Sequence, residues 1–198
     1  MKLQTIKDDT IRHLGHAAAY TAVTVILLGI LYPLAMTGVS ELLFPAQAKG
    51  SIVYRNGQAI GSDIIGQLWT RPQYFHGRPS AAGSGYDPTS TSGTNLGPTS
   101  KKLIDATAAT IKTLTKENPD ATMPVPMDLV TSSGSGIDPD ISPEAAFYQS
   151  PRVAKARHLT VEAVDAVVTL HIMPRTFGFL GEPHVNVMQL NLALDGQK

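Results

Sequence analysis

The chain has 198 residues, with 16 lysine and arginine side chains, 16 aspartate and glutamate side chains and no cysteine. The formal net charge of zero gives no electrostatic reason to bind nucleic acid, which usually requires a basic surface. The lack of cysteine excludes disulfides, thiolate metal sites and a cysteine nucleophile. The composition also argues against a disordered chain, because only 16% of the residues are charged.

A long uncharged segment lies near the amino terminus. No aspartate, glutamate, lysine or arginine occurs between Arg12 and Glu41, and about 20 apolar residues suffice to cross a bilayer as a helix. We therefore predict a transmembrane helix over residues 14–36. Basic residues outnumber acidic ones before it, so the positive-inside rule places residues 1–13 in the cytoplasm and residues 45–198 outside it.

A cleaved signal peptide is the alternative interpretation of this segment. Ala46-Gln47-Ala48 has the small-x-small form of a cleavage site, and cleavage after Ala48 would release a secreted binding module or enzyme. However, the apolar run is much longer than the hydrophobic region of a signal peptide, which has about 7–15 residues. We therefore favour a retained anchor, which Pro33 would bend at its exit end.

The remaining chain predicts a single extracytoplasmic domain that begins with a β-hairpin. Roughly 154 residues are enough for one hydrophobic core. Asn56-Gly57 lies between two apolar runs and favours a type I′ turn, because both central residues of that turn need positive φ values. Residues 79–100 are rich in glycine, proline, serine and threonine. A flexible linker and an ordered loop both fit this composition, and the aromatic residues nearby favour order.

Helices are expected after this loop. Caps and apolar spacing predict helices over residues 100–118 and 142–148, a further helix start at Ser150-Pro151, and a helix from Thr160 to before Pro174. The alternation of leucine with other residues over positions 189–194 predicts a final strand with one buried face. Strands at both ends with helices between them indicate an α+β domain.

Two local patterns have structural and functional interpretations. Gly-Ser-Gly-x-Asp-Pro occurs at residues 83–88 and again at 134–139, and structural turns are favoured over anion-binding nests. Arg152, Lys155 and Arg157 form a basic cluster with the following histidine, near the end of a predicted helix. We favour a solvated face that interacts with the helix dipole over a contact to a partner or a phosphate.

We predict no catalytic residue and no metal site. The sequence contains neither a Gly-x-Ser-x-Gly nucleophile elbow, nor a P-loop, nor the Asp-Lys-Thr-Gly motif of phosphorylated P-type pumps. His171 and His184 have no second histidine at metal-binding spacing. From chemistry alone we therefore expect a membrane-anchored, non-catalytic extracytoplasmic domain.

A set of motifs resembles the C subunit (KdpC) of the Kdp potassium-transporting ATPase. The similarity runs from the anchor to the carboxyl terminus in family order. It is carried by residues 61–67 (GSDIIGQ), 74–81 (YFHGRPSA), 92–98 (SGTNLGP), 133–139 (SGSGIDP), 141–146 (ISPEAA), 152–157 (RVAKAR), 180–183 (LGEP) and 185–187 (VNV). The chain departs from the family pattern at Thr94, His158 and His184, where serine, glycine and arginine are expected.

The resemblance implies an accessory subunit of a high-affinity, ATP-driven potassium import complex in the bacterial cytoplasmic (inner) membrane. The implied partners are a channel-like potassium-translocating subunit, a P-type ATP-hydrolysing subunit and a small single-span subunit, besides the bilayer itself. The family's C subunit is described as a catalytic chaperone that raises the ATP affinity of the P-type subunit. No tightly bound cofactor is expected in this chain, and ATP would be met only together with the P-type subunit.

Two groups of residues within the motifs are candidates for function. Those assigned to assembly or to structure are Gln67, Tyr74, Arg78, Asn95, Glu144, Arg152, Glu182 and Asn186. Those considered for a nucleotide contact are Ser92, Gly93, Ser133, Gly134, Ser135, Gly136 and Gln149. An arginine can hold a carboxylate or several carbonyls in fixed geometry, whether inside the chain or at a partner.

The predicted topology conflicts with a direct contact to ATP, because ATP is cytoplasmic and most of the polar surface is predicted to lie outside. In the favoured interpretation, the outer domain covers the potassium entrance of the channel-like subunit and the helix holds the complex together. In the other, the Gly-Ser loops around Gly93 and over residues 133–136 contact the phosphates.

Overall fold

The computed structural model describes residues 2–196 of the chain, with side chains from residue 9 onward. The chain divides into two units, one up to Ser51 and the other from Ile52 onward. The family motifs all lie in the second unit.

The first unit is helical almost throughout. It contains α1 (Lys2–Thr24), a π-helical segment (Val25–Leu31), α2 (Tyr32–Leu43) and a short α3 (Pro45–Ala48). Pro33 lies in the first turn of α2 and does not end the helix. It has no backbone N–H to give to the preceding turn, and the wider hydrogen-bonding pattern of the π-helix comes directly before it.

One helix among residues 2–196 is long and apolar enough to cross a membrane, and it covers Asp9–Leu43. Its apolar side chains are exposed within the chain, with Leu28 at 64% and Leu42 at 81%. The hydroxyls of Thr24 and Thr37 each donate to a carbonyl one turn earlier, at 2.8 Å. These bonds satisfy the hydroxyls internally, as a hydrocarbon environment requires.

The second unit begins with the predicted hairpin. Strands β1 (Ile52–Arg55) and β2 (Gln58–Ser62) pair antiparallel. Asn56 and Gly57 have φ values of 53° and 78°, so the expected turn with two positive φ values is confirmed.

The segment from residue 79 to residue 100 has no helix or strand, yet side-chain hydrogen bonds order it. Ser80 Oγ donates to the carbonyl of Gly136 at 2.5 Å and accepts from the N–H of Tyr86 at 2.7 Å. The Tyr86 hydroxyl donates to the carbonyl of Arg78 at 2.6 Å. The ordered-loop interpretation is therefore correct.

The rest of the second unit combines helices with a small sheet, which confirms the α+β class. The helices are α4 (Lys101–Glu117), a 3₁₀ turn (Met127–Leu129), α5 (Pro143–Arg157), α6 (Val161–Leu170) and α7 (Val187–Asp195). The strands are β3 (Asp140–Ile141), β4 (Ile172–Met173) and β5 (His184–Asn186). All pairs in this sheet are antiparallel, in the order β3-β5-β4.

Two of the three predicted caps are confirmed, but the helix that follows the first is longer than predicted and the cap at Ser150 is wrong. Ser142 Oγ accepts from the N–H of Ala145 at 3.0 Å, and Thr160 Oγ1 accepts from that of Ala163 at 3.2 Å. Pro151 lies inside α5 instead of starting a new helix. Helix α5 continues through Pro151 because residues on both sides of it are buried in the core.

The predicted carboxyl-terminal strand is wrong, because residues 187–195 form helix α7. Val187, Leu190, Asn191 and Leu194 are its buried residues together with Met188, a spacing that places them on one helical face. The Asn186 side chain caps the helix by accepting from the N–H of Gln189 at 3.1 Å.

The hydrophobic core of the second unit lies between α5, α6, α7 and the three-stranded sheet. Its fully buried aromatic residue, Phe75, comes from a segment outside the helices and strands. Its other large members are Leu114, Leu129, Ile141, Tyr148, Val153, Val164, Val167, Val168, Val185, Val187, Leu190 and Leu194.

Candidate functional site

Residues 72–77, here called the clamped segment, have no helix or strand of their own. Side chains from α5 and α7 satisfy their backbone instead. Gln149 Oε1 accepts from the N–H of His76 at 2.9 Å, while Gln149 Nε2 donates to the carbonyl of the same residue at 3.0 Å. In the same way, Asn191 Oδ1 accepts from the N–H of Phe75 and Asn191 Nδ2 donates to the Phe75 carbonyl. Two buried amides thus replace the neighbouring strand that this segment lacks.

Arg152 joins α5 to the clamped segment. Its Nη1 donates to the carbonyls of Pro72 and Tyr74 at 2.6 and 3.0 Å. Its Nη2 donates to Gln149 Oε1 at 2.7 Å, and its Nε donates to Asn118 Oδ1 at 3.0 Å. Burial lowers the pKa of Arg152 to about 10, and the charge of Glu117 opposes this shift, so the side chain stays charged at neutral pH.

Tyr74 and Arg157 meet at the carboxyl-terminal end of α7. The Arg157 guanidinium carbon lies 5.2 Å from the Tyr74 ring centroid, and Arg157 Nη2 donates to Asp195 at 2.9 Å. Arg55 and the Tyr74 hydroxyl also donate to Asp195. Burial favours a higher pKa for Asp195, but the hydrogen bonds from Arg157, Arg55 and Tyr74 outweigh it and lower that pKa.

The prediction that the basic cluster at the end of α5 forms a solvated face is therefore wrong for its two arginines. Arg152 is 8% exposed, and the Arg157 side chain is 10% exposed. Lys155 alone of the three cations is well exposed, at 77% of its side chain. Arg152 and Arg157 are buried because they donate to backbone carbonyls of the clamped segment, whereas Lys155 reaches only Asp120 at the surface.

Arg78 ties the two Gly-Ser-Gly-x-Asp-Pro turns together. It donates to Asp138 in the second turn at 3.0 Å, while its own carbonyl accepts from Tyr86 in the first. A Cβ at Gly66 would lie 2.5 Å from both the Asp138 carbonyl and the Tyr86 ring, so only glycine fits there. Burial, reinforced by Asp138, raises the pKa of Tyr86 to about 12, although Arg78 opposes the shift.

Asn186 links the hairpin to the three-stranded sheet. Its Nδ2 donates to the Asp63 carbonyl at 2.8 Å and to Asp140 at 3.2 Å. Gln189 donates to the Asp63 carboxylate at 2.5 Å. Burial raises the pKa of Asp140; nearby His184 opposes this shift, while Asp138 and Asp63 add to it.

The other residues assigned to assembly or structure lie apart from these networks. Gln67 Nε2 donates to the Ile60 carbonyl at 2.8 Å, and Glu182 is exposed and ion-paired with Arg175. Glu144 is exposed in the first turn of α5 and, with Arg78, lines an open cleft of about 630 Å³. Asn95 is exposed, with a φ of 53°.

The two loops considered for nucleotide contact do meet in space. A Cβ on Gly93 would lie 3.2 Å from the carbonyl oxygen of Gly134 and 3.4 Å from that of Ser133. The hydroxyl of Ser133 already accepts from the N–H of Gly136, and that of Ser135 accepts from the next N–H. Ser92 donates to its neighbour's carbonyl. Carbonyl oxygens facing this junction would repel phosphate, so the contacts themselves are those of a structural turn.

Gln149 is the nucleotide candidate whose position differs most from the expectation. It is fully buried, and both atoms of its amide are occupied by His76, Ala145 and Arg152. A base could reach this amide only after the clamped segment had opened. Within residues 2–196, no group of three or more histidine, aspartate or glutamate residues is arranged to hold a metal ion.

Comparison with known proteins identifies the family. The family model for KdpC, the c chain of K⁺-transporting ATPase, matches residues 14–196. The chain belongs to the KdpC family. The protein called potassium-transporting ATPase KdpC subunit in Myxococcus xanthus is 57% identical over 174 residues, which cover 87% of this chain and 82% of the relative. The protein of the same name in Acidobacterium capsulatum is 51% identical over 183 residues, covering 92% and 97%.

Family membership makes this chain a subunit of a K⁺-transporting ATPase, and therefore one that has partner subunits. These hydrogen-bond networks explain several of the sequence motifs that carry the resemblance. No sequence motif marks Asn118, Asn191 or Asp195 as a site residue, although all three take part in these networks. One signal in the sequence points to Asn191. Apolar residues lie three and four positions from it, so in a helix Asn191 would share their core-facing side.

Proposed function

We propose that this KdpC-family chain is a non-catalytic accessory subunit that stabilises the assembly of an ATP-driven potassium importer. The observation that carries the proposal is the pairing of a membrane-length apolar helix with a unit whose motif residues bond to their own chain. A unit held together by such internal bonds can present a fixed surface to a partner. The proposed partners are a channel-like subunit, a P-type ATP-hydrolysing subunit and a small single-span subunit.

The proposed topology places the amino terminus in the cytoplasm and the second unit outside the bacterial cytoplasmic membrane. The excess of basic residues before the apolar segment supports this orientation. In the proposal, the outer unit covers the potassium entrance of the channel-like subunit. Protease digestion of sealed vesicles of known orientation tests it, because the outer unit should be cut only from the external face.

The contribution to ATP affinity is proposed to be indirect, through the P-type subunit. Two features support this view: the carbonyl oxygens at the Gly93–Gly134 junction and the occupied amide of Gln149. The direct contact remains a prediction from the resemblance. Micromolar ATP binding by the purified chain, lost in a Gly134→Ala/Ser135→Ala variant, would show that the subunit itself binds nucleotide.

The assembly role is tested by exchanging the helix. Residues 14–36 are replaced by an unrelated apolar helix of equal length, and the complex is recovered through a tag on the P-type subunit. Loss of the chain from the complex would assign binding to the helix face, and retention would assign it to the second unit. The matched control replaces a single residue of this helix conservatively, Leu28→Ile, and should leave recovery unchanged.

A further inference from the structure

The second unit contains a second tight turn in which two consecutive residues have positive φ values, as Asn56 and Gly57 do. Phe177 and Gly178 have φ values of 54° and 81°, compared with 53° and 78° in the first turn. The N–H of Phe179 donates to the carbonyl of Thr176 at 3.3 Å, which closes the turn. Thr176 and Leu180 also exchange two backbone hydrogen bonds of 2.9 Å. The two turns therefore share two consecutive positive φ values, but the second pairs Thr176 with Leu180 across three residues, whereas the first pairs Arg55 with Gln58 across two.

Phenylalanine is an unfavourable residue at the first position of this turn. The left-handed region suits glycine, asparagine and aspartate, whereas a bulky side chain there is strained. Burial inside the chain does not compensate, because Phe177 is 84% exposed. Phe179 and Leu180, beside it, are 70% and 50% exposed. The fold of this chain thus does not explain a phenylalanine at position 177. A strained residue without such an explanation indicates a functional role.

The tip of this hairpin is apolar and uncharged. No charged residue occurs between Arg175 and Glu182, and these two pair with each other across its base. The N–H groups of Thr176, Gly178, Phe179 and Leu180 all donate to carbonyls within the hairpin. Because these backbone donors are already satisfied, burying the tip against another surface would break few hydrogen bonds to water.

We propose that Phe177, Phe179 and Leu180, here called the hairpin tip, insert into an apolar, uncharged cleft on another subunit of the K⁺-transporting ATPase. This inference rests on the proposed assembly function and names the surface that performs it. Aromatic anchors of this kind dominate interface energies when a pocket desolvates them. The Arg175–Glu182 pair then lies at the polar rim, where the charges remain solvated.

Charge and size favour a cleft on another subunit over the two alternatives, a bilayer surface and a second copy of the chain. A bilayer surface attracts loops with free cationic residues, but Arg175 is paired and Glu182 would be repelled by anionic lipids. A second copy of the chain would need about 800 Å² from each partner. Two phenylalanines bury about 150–250 Å² each, so the tip suits a partner that other contacts already hold in place.

The test uses the full chain produced together with the other subunits. A Phe177→Asn/Phe179→Ser variant places asparagine, the residue of the first hairpin, at the strained position. We expect recovery of the chain through a tag on another subunit to fall about tenfold or more. Its midpoint of thermal unfolding, followed by the fluorescence of Trp69, should not fall. The matched control, Tyr54→Ser/Ile104→Ser, removes two side chains that are 66% and 57% exposed and should leave recovery unchanged.

Recovery of the hairpin variant at the control level would overturn the proposal. A second measurement decides the matter even if the variant folds poorly: Phe179→p-benzoylphenylalanine is photo-crosslinked in the intact complex. An adduct with another subunit supports the proposal, whereas adducts only with lipid or a second copy overturn it. Deleting the whole chain distinguishes a failure of the assembly function from a failure of the hairpin proposal. If the other subunits assemble without it, the assembly function itself fails; if they do not but the hairpin variant assembles, only the hairpin proposal fails.

Discussion

Asn191 holds the backbone of Phe75 at both of its polar groups. The N–H of Phe75 donates to Asn191 Oδ1 at 2.8 Å, and Asn191 Nδ2 donates to the Phe75 carbonyl at 3.0 Å. Both residues are fully buried. Helix α7 thus provides, through one side chain, the hydrogen bonds that a neighbouring strand would otherwise provide, and it places the Phe75 ring in the core.

Removing this amide should destabilise the second unit strongly. Asn191→Ala leaves the N–H and carbonyl of Phe75 buried without partners, and each such group costs about 1–3 kcal/mol. We expect the free energy of unfolding to fall by about 3 kcal/mol, measured by urea denaturation with Trp69 fluorescence. Gln58→Ala is the control, since it removes an exposed amide. A similar loss in both variants would contradict the role assigned to Asn191.

Arg152 should not tolerate even a conservative replacement. Its guanidinium serves two carbonyls, Gln149 and Asn118 from three separate nitrogens. A lysine has one nitrogen and cannot reach them together. We expect Arg152→Lys to lower the free energy of unfolding by about 3 kcal/mol or more.

The matched control for this prediction lies on the same helix. Lys155→Arg changes an exposed cation by the reverse substitution and should alter stability by less than about 0.5 kcal/mol. An Arg152→Lys variant that unfolds at the wild-type urea concentration would show that the network is replaceable.

His158 offers a site for stabilisation. It ends α5 with a φ of 59°, and its N–H caps the last carbonyls of the helix. The resemblance predicts glycine here, and glycine adopts this conformation without strain. We expect His158→Gly to raise the free energy of unfolding by about 0.5–1 kcal/mol. His158→Ala, which keeps a Cβ, should not do so, and equal effects of the two substitutions would refute the explanation.

Stability should decrease on acidification partly because of His76. Burial, followed by the charge of Arg152, lowers its pKa below 6.5, against the opposing effects of its hydrogen bond to Arg71 and of Glu117. Below pH 6.5 the unfolded chain therefore binds a proton at this site that the folded chain does not. The free energy of unfolding must then fall as the pH drops from 6.5 through the folded-state pKa.

The corresponding variant is His76→Gln, which keeps a polar side chain but does not titrate. Other groups also titrate as the pH falls, so the useful quantity is the difference between the two proteins. Urea denaturation at intervals from pH 7.5 downward should show a shallower loss of stability in His76→Gln. Parallel curves for both proteins would mean that His76 does not contribute.

Short-range signals predicted several elements correctly. Asn56-Gly57 gave the first hairpin because its turn demands two positive φ values, and Ser142 and Thr160 marked helix starts because their hydroxyls accept from free N–H groups. The family resemblance was correct because the motifs occur in order along most of the chain.

Tertiary packing decided what short-range signals could not. Leu190, Leu192 and Leu194 alternate as in a strand, but the cap at Asn186 and the buried face through Asn191 make the segment helical. Pro151 would normally end a helix, yet buried residues on both sides keep α5 continuous. The partners of Gln149 and Arg152 lie more than 70 positions away in the clamped segment, a distance that no local pattern reports.

The most direct measurement asks whether the chain is an integral part of a working transporter. All subunits are produced together, and the complex is isolated through a tag on this chain, with potassium-dependent ATP hydrolysis and subunit ratios measured in the eluate. We predict co-elution of the other subunits in fixed ratio with that activity, and loss of both when the chain is deleted. An active complex of the remaining subunits that forms without this chain would contradict an assembly role.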